Sequence, residues 1–241
     1  MNTGLYFLKT YDYLLSSVIS LLVAQNPAEA EKAYPEKVLR LNYPKSYEYL
    51  NHFRSILENR AVYKKFLKPN GAPFYAFFDF GPYTFARYKV VWRYVASEMT
   101  AAVIGYKNNK EIIPDSKLNL VPFDNEDEAH YLCSILNSTP ARFVVKSYSV
   151  ETQISTHVLE NLLVPTFSNS ISIHNQLSSL SIEAHRLKSD IHSDGVSNEF
   201  CFSAQAQLYK VEDEIDQLAA ELWGITQEEL QDIKRSLDEL K

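Results

Sequence analysis

The feature that most constrains this chain is a change of pattern at Asn125. Before it lie four runs rich in Val, Ile, Phe and Tyr, at 74–80, 87–93, 100–105 and 117–123. Gly81-Pro82 and the polar tip Lys107-Asn108-Asn109-Lys110 separate them, so they predict strands. After it the spacing turns helical. Asn125 and Glu128 form a capping-box pair, and Leu132, Ile135 and Leu136 make the core stripe of the helix it opens. Pro140 starts a further short helix, and 147–156 reads as a loop. Leu162 to Pro165 reads as a closing strand. Helices follow over 172–188, 204–222 and 227–240, the last two punctuated by Gly224 and by the Thr226/Glu229 capping box. Leu208, Val211, Ile215, Leu218 and Leu222 recur at heptad-like spacing, which predicts antiparallel packing. The fold class expected is α+β: a twisted, mixed sheet flanked by helices, followed by an antiparallel helical segment.

Upstream, 3–25 reads as an amphipathic helix ended by Asn26-Pro27. Its apolar stretch at 13–24 is too short to span a bilayer and lacks signal-peptide flanks. Residues 27–45 carry three prolines and form a connector with a short helix. From Ser46 one helix is expected through Phe66, with Tyr49, Phe53, Ile56 and Leu57 as core. The domains implied are 1–45, a central 46–170 and a helical 171–241. Two cysteines far apart, Cys133 and Cys201, exclude a disulfide framework and fit a reducing, cytoplasmic setting.

The residues that would carry catalysis are missing. There is no GxG cofactor loop, no Asn/Asp-Pro-Pro-Tyr/Phe motif and no P-loop. Pro114-Asp115-Ser116-Lys117 has no second acid-x-Lys element, and reads as a turn capped by Asp115. The six histidines show no ligand spacing, so neither a metal nor a cofactor is expected in this chain.

Charge is unevenly placed. Residues 60–117 hold ten basic side chains against four acidic ones, while 205–241 hold four against ten. The net charge of −6 hides this division. Basic and amide side chains at strand ends hold phosphates and read base edges. Candidates for double-stranded DNA are Arg60, Lys64 and Lys65; then Tyr83, Thr84, Arg87, Tyr88, Lys89 and Arg93. Lys107, Asn108, Asn109 and Lys110 form a further group, as do Tyr148, Thr152, Gln153, Ser155 and Thr156. They are expected together on one sheet edge. The rival reading is an assembly domain whose acidic helices dock another subunit.

The order YTFARYKVVWR, IIPDSKL, VPFDNEDEAHYLCSILNSTPARFVVKSYS, TQISTHVLENLLVP and EDEIDQLAAELWGIT resembles the C-terminal region of N-6 adenine DNA methyltransferases of restriction–modification systems. It is similar to their TaqI-type target recognition domain over roughly 43–241, most specifically over 83–165. The resemblance implies a DNA-reading module with an upstream methyltransferase domain as partner. S-adenosylmethionine would then be a cofactor of the parent enzyme, which in some of these proteins is fused to a nuclease, and not of this chain. It also implies that TQIST-to-VP is a return strand. Asp79-Phe80-Gly81-Pro82 departs from the glycine-rich entry of that family, and Ser116 stands where His is frequent.

Overall fold

A computed structural model describes residues 24, 32–107, 110–115, 117–149, 153–193 and 195–239. The expected helix at 3–25 therefore lies outside the described residues, Ala24 apart. The chain divides into two compact units, Val18–Ala86 and one containing Arg87–Lys241. That division falls inside the stretch 46–170 read above as one domain.

In the N-terminal unit the long helix expected from Ser46 is broken into pieces: α1 (Glu36–Asn42), α2 (Pro44–His52) and α3 (Arg54–Asn59), then a π-turn at Tyr63–Leu67. Pro44 opens α2 at a position where its missing N–H costs nothing. Phe53 leaves helical geometry between α2 and α3. The break rotates the apolar stripe. Leu57 joins the core with Leu39, Tyr63, Phe74 and Tyr75, but Tyr49, Phe53 and Ile56, expected inside, are exposed. Residues 74–80 form no strand. They run as an irregular aromatic segment whose carbonyls are held by a side chain: the Arg60 guanidinium donates to the oxygens of Phe74 at 2.7 Å and Ala76 at 2.9 Å. A side-chain donor has replaced the neighbouring strand that such a run normally needs.

The C-terminal unit is built on a three-stranded sheet, β1 (Tyr88–Arg93), β2 (Ala101–Ile104) and β5 (Leu118–Phe123), in the order β2-β1-β5. A two-stranded ladder, β3 (Tyr106–Lys107) with β4 (Lys110–Glu111), rises from the β2–β5 connection. Among the described residues every strand pairing is antiparallel, so the sheet is not mixed. The 94–100 turn reverses the chain directly, and no helical crossover intervenes before β5 to bring a strand back parallel.

One sheet face, with Val90, Trp92, Ala101 and Val103, packs on α4 (Glu126–Asn137) through Ala129, Cys133 and Leu136. Asn125 caps α4 as expected, accepting from the Asp127 N–H at 2.8 Å. The opposite face of α4, with Tyr131 and Ile135, meets Leu177 of α7 (Ser172–Ile191) and Ile215 of α8 (Asn198–Trp223). Leu187 meets Ala204 and Leu208 further along, so α7 and α8 run antiparallel. Then α9 (Gln227–Glu239) follows Gly224, which ends α8 in the left-handed region at φ 68°. Thr226 and Glu229 close the expected capping box. α5 (Thr139–Tyr148) and the short α6 (Thr156–Leu159) flank the sheet. Leu162 to Pro165 is not a strand. Its extended backbone is tied through side chains, with the Trp223 indole donating to the Leu163 oxygen at 2.9 Å and Tyr131 Oη to the Pro165 oxygen at 3.0 Å.

The outer edge of β2 would present unpaired N–H and C=O groups. Asn137 accepts from the Ala101 N–H at 2.9 Å and donates to its carbonyl, while His185 Nε2 accepts from the Val103 N–H at 3.0 Å. Two helices thereby cover the edge with side chains. Among the described residues no helix is long and apolar enough to cross a membrane.

Candidate nucleic-acid interface

The expected site residues divide into three sets. The first set is turned to internal work. Arg60 holds the 74–76 carbonyls, and burial pulls its guanidinium below the usual value. Thr84 is buried and its Oγ accepts from the Gly81 N–H at 3.3 Å. Lys89 has no exposed surface and sits between Ile104 and Pro122 in the sheet. Period-2 alternation hid this, because β1 is the central strand and is buried on both faces. Replacing Arg60 with Ala should destabilise the N-terminal unit by about 2–3 kcal/mol, the worth of charge-assisted bonds to buried carbonyls. Urea unfolding of the variant against the parent measures it.

The second set belongs to the N-terminal unit. Lys64 and Lys65 are exposed, and Tyr83 Oη donates to the Asp79 oxygen at 2.6 Å.

The third set lies on the C-terminal unit, where the expected single edge becomes two ends of a central strand. Arg87, immediately before β1, is exposed, and its guanidinium lies 5.4 Å from the centroid of the Tyr88 ring. Tyr88 Oη donates to Glu126 at 3.2 Å. The Gly105 turn into the β3–β4 ladder packs here: a Cβ on Gly105 would meet the Arg87 oxygen at 3.3 Å. Lys107 and Lys110 pair across that ladder. Asn108, Asn109 and Thr152 lie outside the described residues.

At the other end stand Arg93, Tyr94 and Lys117, all exposed, with Tyr94 Oη donating to Gln153 Oε1 at 3.0 Å. Gln153 is held by an isolated bridge to Val95. Beside it Ile154 acts as a tether: its carbonyl accepts from Trp92 Nε1 at 3.0 Å and from Asn119 at 2.8 Å. The polar loop is thus pinned to the strand end. Ser155 and Thr156 open α6, and Tyr148 at the end of α5 is exposed. Tyr94 and Lys117 were not singled out from the sequence, although an aromatic next to Arg93 and a lysine entering a strand were signals that could have found them.

Arg93 ends β1, and Arg87 lies in the bend that leads into it. Six residues of extended chain separate them by about 20 Å. Among the described residues neither is paired with a carboxylate.

Two adjoining cavities of about 310 and 270 Å³ open on this unit, the first bordered by Ile154, and both are lined by Glu98, Arg142 and Lys234. Their charges satisfy one another. Arg142 pairs with Glu98 at 2.6 Å and Lys234 with Asp213 at 2.7 Å. Asp216 accepts from the Thr139 N–H and hydroxyl, each at 2.7 Å. A carboxylate at the start of α5 is favoured by the unpaired amides there. Asp216 and Trp223 of the tail motif therefore dock the tail on the sheet-bearing layer, while Gly224 and Thr226 end one tail helix and open the next. Among the described residues no group of His, Cys, Asp and Glu is placed to hold a metal. The Cys133 thiol is buried and pushed up to about 12, so it carries no thiolate reactivity.

No protein-family model matches the chain, and no curated protein matches it. The fold class is α+β, with a helical majority around a small antiparallel sheet.

Proposed function

We propose that the C-terminal unit is a double-stranded DNA target recognition module that directs an N-6 adenine methyltransferase domain. The observation that carries this reading is the placement of Arg87 and Arg93 at the two ends of one strand, exposed and without carboxylate partners among the described residues. Their separation is about six base-pair rises along a duplex axis, enough to reach two different phosphates. Two guanidiniums so placed hold phosphates at either end of a short site, and Gln153 beside Arg93 offers an amide to a base edge. The sequence resemblance supplies the partner domain, and S-adenosylmethionine chemistry belongs to that domain.

Fluorescence anisotropy with a mixed pool of DNA duplexes over a salt series tests the proposal. Binding should weaken steeply with salt. Arg87→Glu/Arg93→Glu should reduce affinity at least about tenfold and lower the salt slope by roughly two, since each lost phosphate contact removes about 0.9. Salt-independent binding, or affinity unchanged in the double variant, would count against it.

One observation favours the assembly reading for the tail. Helix α8 leaves Phe202 78% and Tyr209 51% exposed, one heptad apart, on a surface α7 does not use. Duplex binding absent from the parent chain at low salt, together with a partner subunit lost on Phe202→Ser/Tyr209→Ser, would select this second reading.

A further inference from the structure

The N-terminal unit carries a basic and aromatic knuckle that the duplex-reading surface does not use. Phe66 and Phe78 are stacked at 5.1 Å with an interplanar angle of 29°, yet remain 40% and 50% exposed. An apolar pair this open is uncommon unless it meets something. Lys64, Lys65 and Lys68 flank Phe66 in the chain, all exposed, and the Lys65 ammonium lies 4.9 Å from the centroid of the Phe66 ring. No acidic residue occurs between Arg60 and Phe78.

Two rare backbone features present this cluster. The π-turn Tyr63–Leu67 carries Lys64, Lys65 and Phe66 out of the preceding helical turn, with the Lys68 N–H closing on the Tyr63 oxygen. Such turns are frequent at functional sites. Asp79 has φ 56°, uncommon for any residue other than glycine, and it follows Phe78 directly. Tyr83 Oη donates to both its carbonyl and its carboxylate, which holds the turn. Beneath, Arg60 anchors the same aromatic segment through the Phe74 and Ala76 oxygens. The unit thus uses two unusual conformations and a half-buried guanidinium to keep two aromatic rings at the surface among lysines.

We propose that this knuckle binds single-stranded nucleic acid, stacking an unpaired base on Phe78 and holding the flanking phosphates with Lys64, Lys65 and Lys68. Stacking on an exposed ring combined with a basic surround is the physical basis of sequence-tolerant single-strand binding. A duplex offers no open base face, so this surface and the Arg87–Arg93 surface take different forms of nucleic acid.

The test is fluorescence anisotropy of the full chain with a fluorescein-labelled thymidine oligonucleotide over a salt series. Phe78→Ala should weaken binding roughly 5- to 100-fold and Phe78→Trp should preserve or tighten it. Phe78→Leu keeps apolar surface but loses the π-face, and should behave as Ala. Circular dichroism should show all three folded, because half of the Phe78 ring is already in solvent. Lys64→Gln/Lys65→Gln/Lys68→Gln should lower the salt slope by about two, each single-strand phosphate contact contributing about 0.7. Arg87→Glu/Arg93→Glu should leave oligonucleotide binding unchanged. The proposal is overturned by no binding at low salt or by affinity indifferent to Phe78. It is also overturned if Phe78→Leu matches the parent, since that marks an apolar protein contact. Loss of oligonucleotide binding only in the Arg87/Arg93 variant would overturn it while leaving the duplex reading standing.

Discussion

Lys89→Glu is expected to destabilise the C-terminal unit strongly, whereas Arg87→Glu and Arg93→Glu, at the two ends of the same strand, are expected to leave stability nearly unchanged. Lys89 has no exposed surface and lies at the centre of the sheet, opposite Ile104 and Pro122. Lys89 takes part in an interaction within the fold. Reversing a buried charge removes that engagement and leaves a carboxylate in the same low-dielectric place. Breaking a buried charged arrangement costs about 3–5 kcal/mol, a large part of the 5–15 kcal/mol typical of a whole domain. The midpoint of thermal unfolding should fall by roughly 10 °C or more. Lys89→Met, with similar volume and no charge, should cost much less. Arg87 and Arg93 are exposed, where single substitutions stay within about 0.5 kcal/mol. Differential scanning calorimetry of the variants separates the two classes. A Lys89→Glu protein that melts like the parent but has lost DNA would place the ammonium at the interface instead.

Stability should also fall as pH drops from about 6.5, before most carboxylates titrate. Three histidines are packed in neutral form. Burial, with His185 adjoining, holds His130 down to about 3, against an ordinary 6.5. Burial lowers His174 and His185 as well. Their hydrogen bonds require an unprotonated nitrogen: His185 Nε2 accepts from the Val103 N–H and His174 Nδ1 from the Ser168 N–H.

Below the unfolded pKa the unfolded chain takes up protons that the native state refuses, so stability decreases as pH falls toward the folded values. His130 alone should cost about 2 kcal/mol near pH 5. Each further histidine steepens the slope by up to about 1.4 kcal/mol per pH unit while the native state stays neutral. Glu212 acts in the opposite sense, because desolvation in its cleft raises its carboxyl and the native state binds that proton first. Asp213, Glu36 and Glu183 are lowered, mainly by bonds to Lys234, Tyr47 and Arg186, and lose their contribution only at lower pH. Urea titrations between about pH 7 and 5 should therefore show a falling midpoint. His130→Asn should flatten that dependence, and an equal slope in parent and variant would refute the account.

Much of the C-terminal unit was legible from local chemistry. The Asn125 cap, the Leu132–Leu136 stripe, the Gly224 stop and the Thr226/Glu229 box each depend on residues within one or two turns, and each lies where its pattern put it. The strands at 88–93, 101–104 and 118–123 follow from β-branched and aromatic runs bounded by turn residues. The apolar run at 74–80 misled, because a strand needs a neighbour and this segment found the Arg60 guanidinium. The candidate site was only half legible. Arg93 and Gln153 are brought together by Tyr94 across 59 residues of sequence, a contact no local pattern announces.

By itself the sequence determined the three main strands and the helices from Asn125 onward, since periodicity, caps and turn residues act within a few residues of themselves. It also set the charge asymmetry and the absence of familiar catalytic motifs. Only the tertiary structure decided which lysines and arginines face water. Strand order made β1 central, burying Lys89 and leaving Arg93 outside, although both share one parity. It likewise decided that His185 and Asn137 cover the β2 edge and that Asp216 holds the start of α5. These contacts join residues 36 to 82 positions apart. They form because buried donors and acceptors must be satisfied by whatever the packed layers bring within reach.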